Sequence, residues 1–239
     1  MTTLTELVDR MTGVDKTGRL TGPGPHFYLL RTPHEVVCRC HTRLDAGVSQ
    51  ALEQIAMAQR GRQRDWPLEY GRYLALLGSL APVKAMRAGP LFRVEPGGGV
   101  AAATQITPEN ADLLRGGLEE WLPDVAEGRL MYAALADGRA VSICCSVHAF
   151  EGAHVAGVET LASHRRRGLA AQAVASWAGA VSRLKAIALY GTSFDNLASQ
   201  GVARRLGMTL LGAEFSVECA FADVANQFAW ERRTRGSTR

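Results

Sequence analysis

Residues 26–41 break into two short apolar runs, His26–Leu30 and Glu35–His41, separated by Arg-Thr-Pro-His, and predict two strands. In the second, "EVVCRCH" alternates, so Cys38 and Cys40 share one face. Apolar positions at helical spacing then predict helices over Ala46–Gln59 and Leu68–Leu80, and "VKAMRAGPLFRV" reads as extended chain. A Pro-Gly-Gly-Gly run in "VEPGGGVAAAT", residues 95–105, suits a linker. Beyond it, "ITPENADLLRGGLEEWL" opens a helix, with Thr107 as N-cap and Pro108 in the first helical position. "LMYAALA" and "AVSICCSVHAF" flank Asp137-Gly138, a hairpin signal, and "EGA" leads into a third strand, "HVAGVETLA".

The period then changes. Leu169, Ala173, Trp177, Val181 and Leu184 form one stripe of a helix running from Gly168 to about Lys185. A strand, "AIALYGT", a short helix, Asn196–Leu206, ended by Gly207, and a last strand or strand pair, "MTLLGAEFSVECAF", complete the pattern. The expected architecture is α/β (α+β): a mixed, mostly antiparallel sheet flanked by helices over residues 105–225. A smaller α+β domain at 1–95, a linker at 96–104 and a basic tail at 226–239 complete the expected organisation.

Composition narrows the class. The chain has 239 residues, 47% of them hydrophobic, and no apolar run long enough to span a bilayer. "MTTLTELVDRMTG" lacks a basic segment followed by an apolar run, so a cytoplasmic protein is expected. The net charge is +4, but "ERRTRGSTR" carries four arginines against one glutamate, so the body is near neutral and nucleic acid is a poor fit as partner. The five cysteines lack a second ligand pair at zinc-like spacing and read as small buried hydrophobes; no metal is expected.

Candidate chemistry concentrates in "SHRRRGLAAQAVASW", residues 163–177, which sets three arginines where a helix begins. A helix N-terminus already has unpaired N–H groups and partial positive charge, so added arginines are unfavourable unless an anion is bound. Small residues at Gly168 and Ala170 let that anion approach the backbone, and a pyrophosphate is the most economical ligand. The plainer alternative is an exposed basic loop. The dinucleotide fingerprint and the Gly-x-x-x-x-Gly-Lys-Ser/Thr loop are both missing.

Over about residues 100–219 the sequence resembles the GNAT superfamily of N-acetyltransferases. Arg165, Arg166, Arg167, Gly168, Leu169 and Ala170 match its Arg/Gln-x-x-Gly-x-Gly/Ala loop, and Asn196, Ser199 and Gly207-Met208 fit a second motif. The resemblance implies a GNAT-like sheet, acetyl-CoA with its pyrophosphate on that loop, and a pantetheine arm paired to the backbone of Val158–Thr160. It further implies direct transfer of an acetyl group to a primary amine in a ternary complex. Where many members carry a tyrosine seven residues after the asparagine, this chain has Ala203, so no general acid is assigned; Tyr190 is a weak candidate.

An alkyl amine is protonated at neutral pH and must lose a proton before it attacks. Two residues of the preceding strand could accept it. Glu159 is a charge within an apolar strand, six residues before Arg165, and His154 lies eleven before it. His154 has a plain alternative as a polar residue at a strand start, and Asn196 as a helix cap. The acceptor, small molecule or peptide, carries no sequence signature, and a homo-oligomer is left open. Two other classes stand beside the enzyme: a non-catalytic acyl-CoA-binding module, and a nucleic-acid-binding protein using Arg165–Arg167 and the tail.

Overall fold

The computed structural model describes residues 3–59, 70–97 and 102–221. The expected helix start at 68–69, the last two glycines of the Pro-Gly-Gly-Gly run and the basic tail lie outside them. In chain order the elements are α1 (Leu4–Thr12), β1 (Phe27–Arg31), β2 (Val36–Cys40), α2 (Ala46–Met57), α3 (Tyr70–Gly78), β3 (Val83–Val94) and β4 (Thr104–Ile106). Then follow α4 (Leu122–Ala126), β5 (Met131–Ala136), β6 (Arg139–Phe150), β7 (Ala153–Thr160), α5 (Leu169–Arg183), β8 (Ile187–Gly191), α6 (Leu197–Arg205) and β9 (Thr209–Cys219). The expected mixed, mostly antiparallel sheet is the fold observed.

Three local expectations change. The start carries α1, capped by Thr3 and Glu6 in a reciprocal pair of bonds, a capping box that the reading above does not use. The helix expected from Thr107 is instead two 3-10 segments, Pro108–Leu114 and Glu119–Trp121, because Asn110 leaves helical geometry and its Oδ1 accepts from the Thr107 N–H. Leu184 falls just beyond α5 and is 60% exposed, so the buried stripe is Ala173, Trp177 and Val181.

The nine strands among the described residues join one sheet in the order β2-β1-β9-β3-β8-β7-β6-β5-β4. Every neighbouring pair is antiparallel except β7 with β8. Asp137 and Gly138, both at positive φ, make the tight β5–β6 turn that the sequence signals. Strand β3, from ahead of the Gly-rich segment, lies between β8 and β9, pairing antiparallel with both. The two halves of the chain are therefore interleaved in one hydrogen-bonded sheet. Residues 102–103 are themselves tied to α5: the Ser176 hydroxyl accepts from Ala103 N–H at 2.8 Å, and Gln172 Nε2 donates to the Ala102 carbonyl at 3.0 Å.

Alternation sorts the core onto two faces. On one face α2 and α3 cover Phe27, Leu29, Phe215 and Val217, and α5 covers Tyr132, Cys144, Ala188 and Tyr190. On the other, Leu7 and Val8 of α1 meet Tyr28, Leu30, Leu91 and Leu189, while Leu114, Leu118 and Val125 meet Met131, Ile143 and Cys145. All five cysteines are buried free thiols, and burial pushes Cys38 up to about 12 and Cys40 to about 11, as expected of structural hydrophobes. Among the described residues no helix is long and apolar enough to cross a membrane.

The sheet order makes a prediction. A chain cut to residues 102–221 exposes the edge of β8 and both edges of β9, since β3 and β1 are removed. It is expected to be aggregated or unfolded by circular dichroism and size exclusion, whereas co-expression with residues 1–97 restores a soluble complex. A folded, monomeric 102–221 fragment contradicts this.

Candidate functional site

Strands β7 and β8 pair only through Ala153–Val155 and Ile187–Leu189, and then part. From Ala156 to Thr160, β7 continues its ladder with β6, so its backbone groups facing β8 have no strand partner. The wedge opens into a cleft of about 750 Å³. Val158, Glu159 and Thr160 form one lip, Tyr190 the other, and the first turns of α5 and α6 close the end. A hydroxyl pair pins the β7 lip: Thr160 Oγ1 lies 2.6 Å from Ser142 Oγ, whose O–H donates to the Glu159 carbonyl at 3.0 Å.

The start of α5 presents unpaired donors and positive charge to the cleft. Arg166 and Gly168 are both left-handed, at φ 62° and 83°, which folds the loop sharply into the helix. Gly168 takes the N-cap position and no side chain caps the first turn; the first intrahelical bond runs from Gln172 N–H to the Gly168 carbonyl. The N–H groups of Leu169, Ala170 and Ala171 therefore face the cleft without helical acceptors. Arg165 and Arg166 line the same space, whereas Arg167 is exposed and outside its lining. Arg205, at the end of α6, joins them: a Cβ on Gly168 would lie 2.9 Å from the Arg205 guanidinium carbon. Sequence reasoning missed Arg205, because a basic residue in a last helical turn looks like an ordinary complement to the helix dipole. Three guanidiniums around the positive end of a helix repel one another, and a bound diphosphate removes that repulsion.

Asn196 caps α6 and also borders the cleft. Its Oδ1 accepts from Ser199 N–H at 3.0 Å as the N-cap of α6, and its side chain lines the cleft. Ser199 Oγ lies 2.6 Å from the Tyr190 hydroxyl, which is buried, and burial raises the phenol above its ordinary range. Tyr190 therefore stays protonated near neutral pH. Ala203 is buried in the core beside α5.

Glu159 points to the sheet face away from α5. There Trp121 Nε1–H donates to Glu159 Oε2 at 2.6 Å. Trp121 was not singled out from the sequence; "EEW" reads as one turn of a helix, and only tertiary folding brings the indole to a residue 38 positions along the chain on β7. His154 is not part of this assembly. Five positions from Glu159 on one strand, it faces the opposite side of the sheet. Its Nδ1 lies 2.8 Å from Ser146 Oγ, which also accepts from Trp177 Nε1–H at 2.9 Å, and burial lowers its pKa. It lines a separate pocket with Thr107, Arg129 and Leu184. Among the described residues no group of three or more His, Cys, Asp or Glu is placed to hold a metal.

The fold has counterparts among known proteins. Residues 102–208 match the model of the acetyltransferase (GNAT) family, and that segment is a GNAT acetyltransferase domain. The chain shares its fold with a GCN5-related N-acetyltransferase from Kribbella flavida, at 18% identity over 95% of this chain and 99% of that one, with a TM-score of 0.51. A GNAT-family acetyltransferase from Novosphingobium aromaticivorans aligns at 14% identity and a TM-score of 0.43, over 56% of this chain and 65% of its own length. An aminoglycoside N-acetyltransferase solved in complex with CoA aligns at 26% identity over 44% of this chain and 88% of that one, with a TM-score of 0.36. No curated protein matches the chain.

Glycine use at the site is testable. A Cβ on Gly157 of β7 would meet Val147 Cγ1 at 2.3 Å and Trp121 Cη2 at 3.2 Å, because Val147 forms a bulge in β6 and the indole lies over the strand. Gly157→Ala is expected to destabilise by about 1–3 kcal/mol through overpacking. Gly179→Ala, in the middle of α5 with its only near neighbour at 3.8 Å, is expected to stabilise by about 0.5–1 kcal/mol. Urea denaturation of both variants checks the contrast.

Proposed function

We propose that this protein transfers the acetyl group of acetyl-CoA to a primary amine by direct attack within a ternary complex. The observation that supports it best is that the uncapped first turn of α5 and the unpaired edge of β7 line one cleft. The donor set suits CoA. The N–H groups of Leu169, Ala170 and Ala171, with Arg165, Arg166 and Arg205, take the pyrophosphate. Asn196 and Ser199 line the wall beside it. The backbone of Val158–Thr160 offers a free strand edge to the amide groups of pantetheine, as a neighbouring strand would use it. Acetyl-CoA supplies the activated thioester.

Glu159 then faces the acetyl end from the opposite side of the sheet. The acceptor arrives as an ammonium, and Glu159 takes one proton from it, leaving the nitrogen lone pair free. The nitrogen attacks the thioester carbonyl, whose developing charge is met by β7 backbone N–H groups. Collapse breaks the carbon–sulfur bond and leaves the amide. The second nitrogen proton neutralises the departing thiolate. A thiol titrates near ~8.5, so its anion leaves readily, and the protonated Tyr190 hydroxyl on the cleft wall donates a hydrogen bond to it.

Glu159→Gln tests the assignment. With an amine found by screening, kcat is expected to fall by about 10²–10⁴, while the affinity for acetyl-CoA is unchanged, since Glu159 lies on the other face from the anion site. Unaltered turnover and pH profile remove Glu159 from the mechanism. CoA binding without acetylation across a broad amine panel favours a non-catalytic acyl-CoA-binding protein.

A further inference from the structure

Glu214 is an acidic side chain that the proposed mechanism does not use. It lies on β9, paired with Leu30 of β1 and Gly89 of β3. Its neighbour Phe215 packs under α2 and α3, so Glu214 points to the other face of the sheet, with Tyr28, Leu30 and Leu91. Glu159, paired with Ile143, stands on that same face. The two carboxylates approach the wedge from its opposite lips.

Two contacts fix where the Glu214 carboxylate sits. Tyr28 O–H donates to its Oε2 at 3.1 Å, and Oε1 reaches across β3 to the end of β8, where a Cβ on Gly191 would lie 2.9 Å from it. Gly191 thus leaves room for that oxygen beside Tyr190, which forms the β8 lip. Glu214 keeps some contact with solvent, yet protein surrounds it closely enough for burial to raise its carboxyl pKa. A group on the floor of a recess has that combination. Among the described residues no cation forms an ion pair with it; Arg87, exposed on β3, attracts it only at longer range. An enclosed carboxylate without a cation is costly in the free protein, and a cationic ligand offsets that cost.

We propose that Glu214 binds a second positively charged nitrogen of the acceptor, which makes the substrate a diamine or polyamine rather than a simple monoamine. The inference rests on the acetyl-transfer reading of this cleft and names the substrate class for it. Glu159 receives the nitrogen that reacts, and Glu214 holds the other as an ammonium. The lips set the spacing. Parallel pairing matches Val155 with Leu189, so Glu159 lies four residues past that pair and Gly191 two. The offset is about 7 Å along the strands, a separation that two nitrogens on a short alkyl chain can span. Selection follows from charge: a monoamine leaves Glu214 enclosed without a cation, whereas a diamine satisfies both carboxylates at once. Tyr28 is the positioning residue, because its hydroxyl occupies Oε2 and leaves Oε1 to face the ligand.

The test compares putrescine and cadaverine with butylamine and pentylamine as acceptors for the full chain. The kcat/KM for each diamine is expected to exceed that of its matched monoamine by about 10–100-fold, the worth of a hydrogen bond to a charged group. Glu214→Gln, which keeps the size of the side chain and an acceptor for Tyr28, is expected to erase that ratio. Calorimetric titration of putrescine into the CoA-saturated protein gives a second readout, with binding expected in the wild type and lost in a variant that melts normally. Equal use of diamines and monoamines, or an equal loss of both in Glu214→Gln, overturns the cation role while acetyl transfer stands. Putrescine binding that depends on Glu214, in a protein that acetylates no amine, supports the cation site and overturns the acetyl-transfer reading. Neither binding nor preference overturns the proposal outright.

Discussion

The parting of β7 from β8 after Val155 and Leu189 is the constraint on which the rest depends. A sheet normally satisfies its backbone by pairing every central strand on both sides. Here a central strand gives up that pairing for half its length, leaving polar groups that water satisfies in the free protein and that an extended ligand is shaped to pair with. The same wedge brings the first turn of α5 to the edge of the opening, where an unsatisfied helix terminus and three arginines call for an anion. An extended ligand with a diphosphate at one end answers both demands, and CoA has that shape.

The wedge needs rigid walls. On one side β7 is locked to β6 by a long antiparallel ladder and by the Ser142–Thr160 hydroxyl pair. On the other, β8 is short and would be an open edge without β3, which pairs with it and with β9. Residues before the family-matched segment 102–208 thus stabilise one lip of its cleft. The face opposite α5 carries the proposed chemistry, with Trp121 brought onto Glu159 by a clamped turn.

What the sequence disclosed followed from locality. The Arg165–Ala170 loop and the Asn196–Ser199 cap are contiguous, so spacing alone placed them on one helix start each, and Asp137-Gly138 fixed its hairpin. What it hid was long-range. The insertion of β3 depends on pairing with strands about a hundred residues or more away, and "VKAMRAGPLFRV" has no alternation to announce a central position. Arg205 and Trp121 reach the site only through the packing of α6 and of the 115–121 turn. His154 was a different matter. Its odd spacing from Glu159 along one strand already set the two on opposite faces, which strand geometry alone could have shown.

The central claim, that the wedge and the start of α5 form an acetyl-CoA site, is tested most directly by calorimetric titration of acetyl-CoA into the wild-type protein and Gly168→Glu. The variant places a bulky anion at a left-handed position against Arg205, where the pyrophosphate is assigned. Saturable binding near one equivalent by the wild type, lost in a variant that melts normally, is the predicted result. A wild-type protein that does not bind acetyl-CoA, or a variant that binds it equally well, contradicts the account.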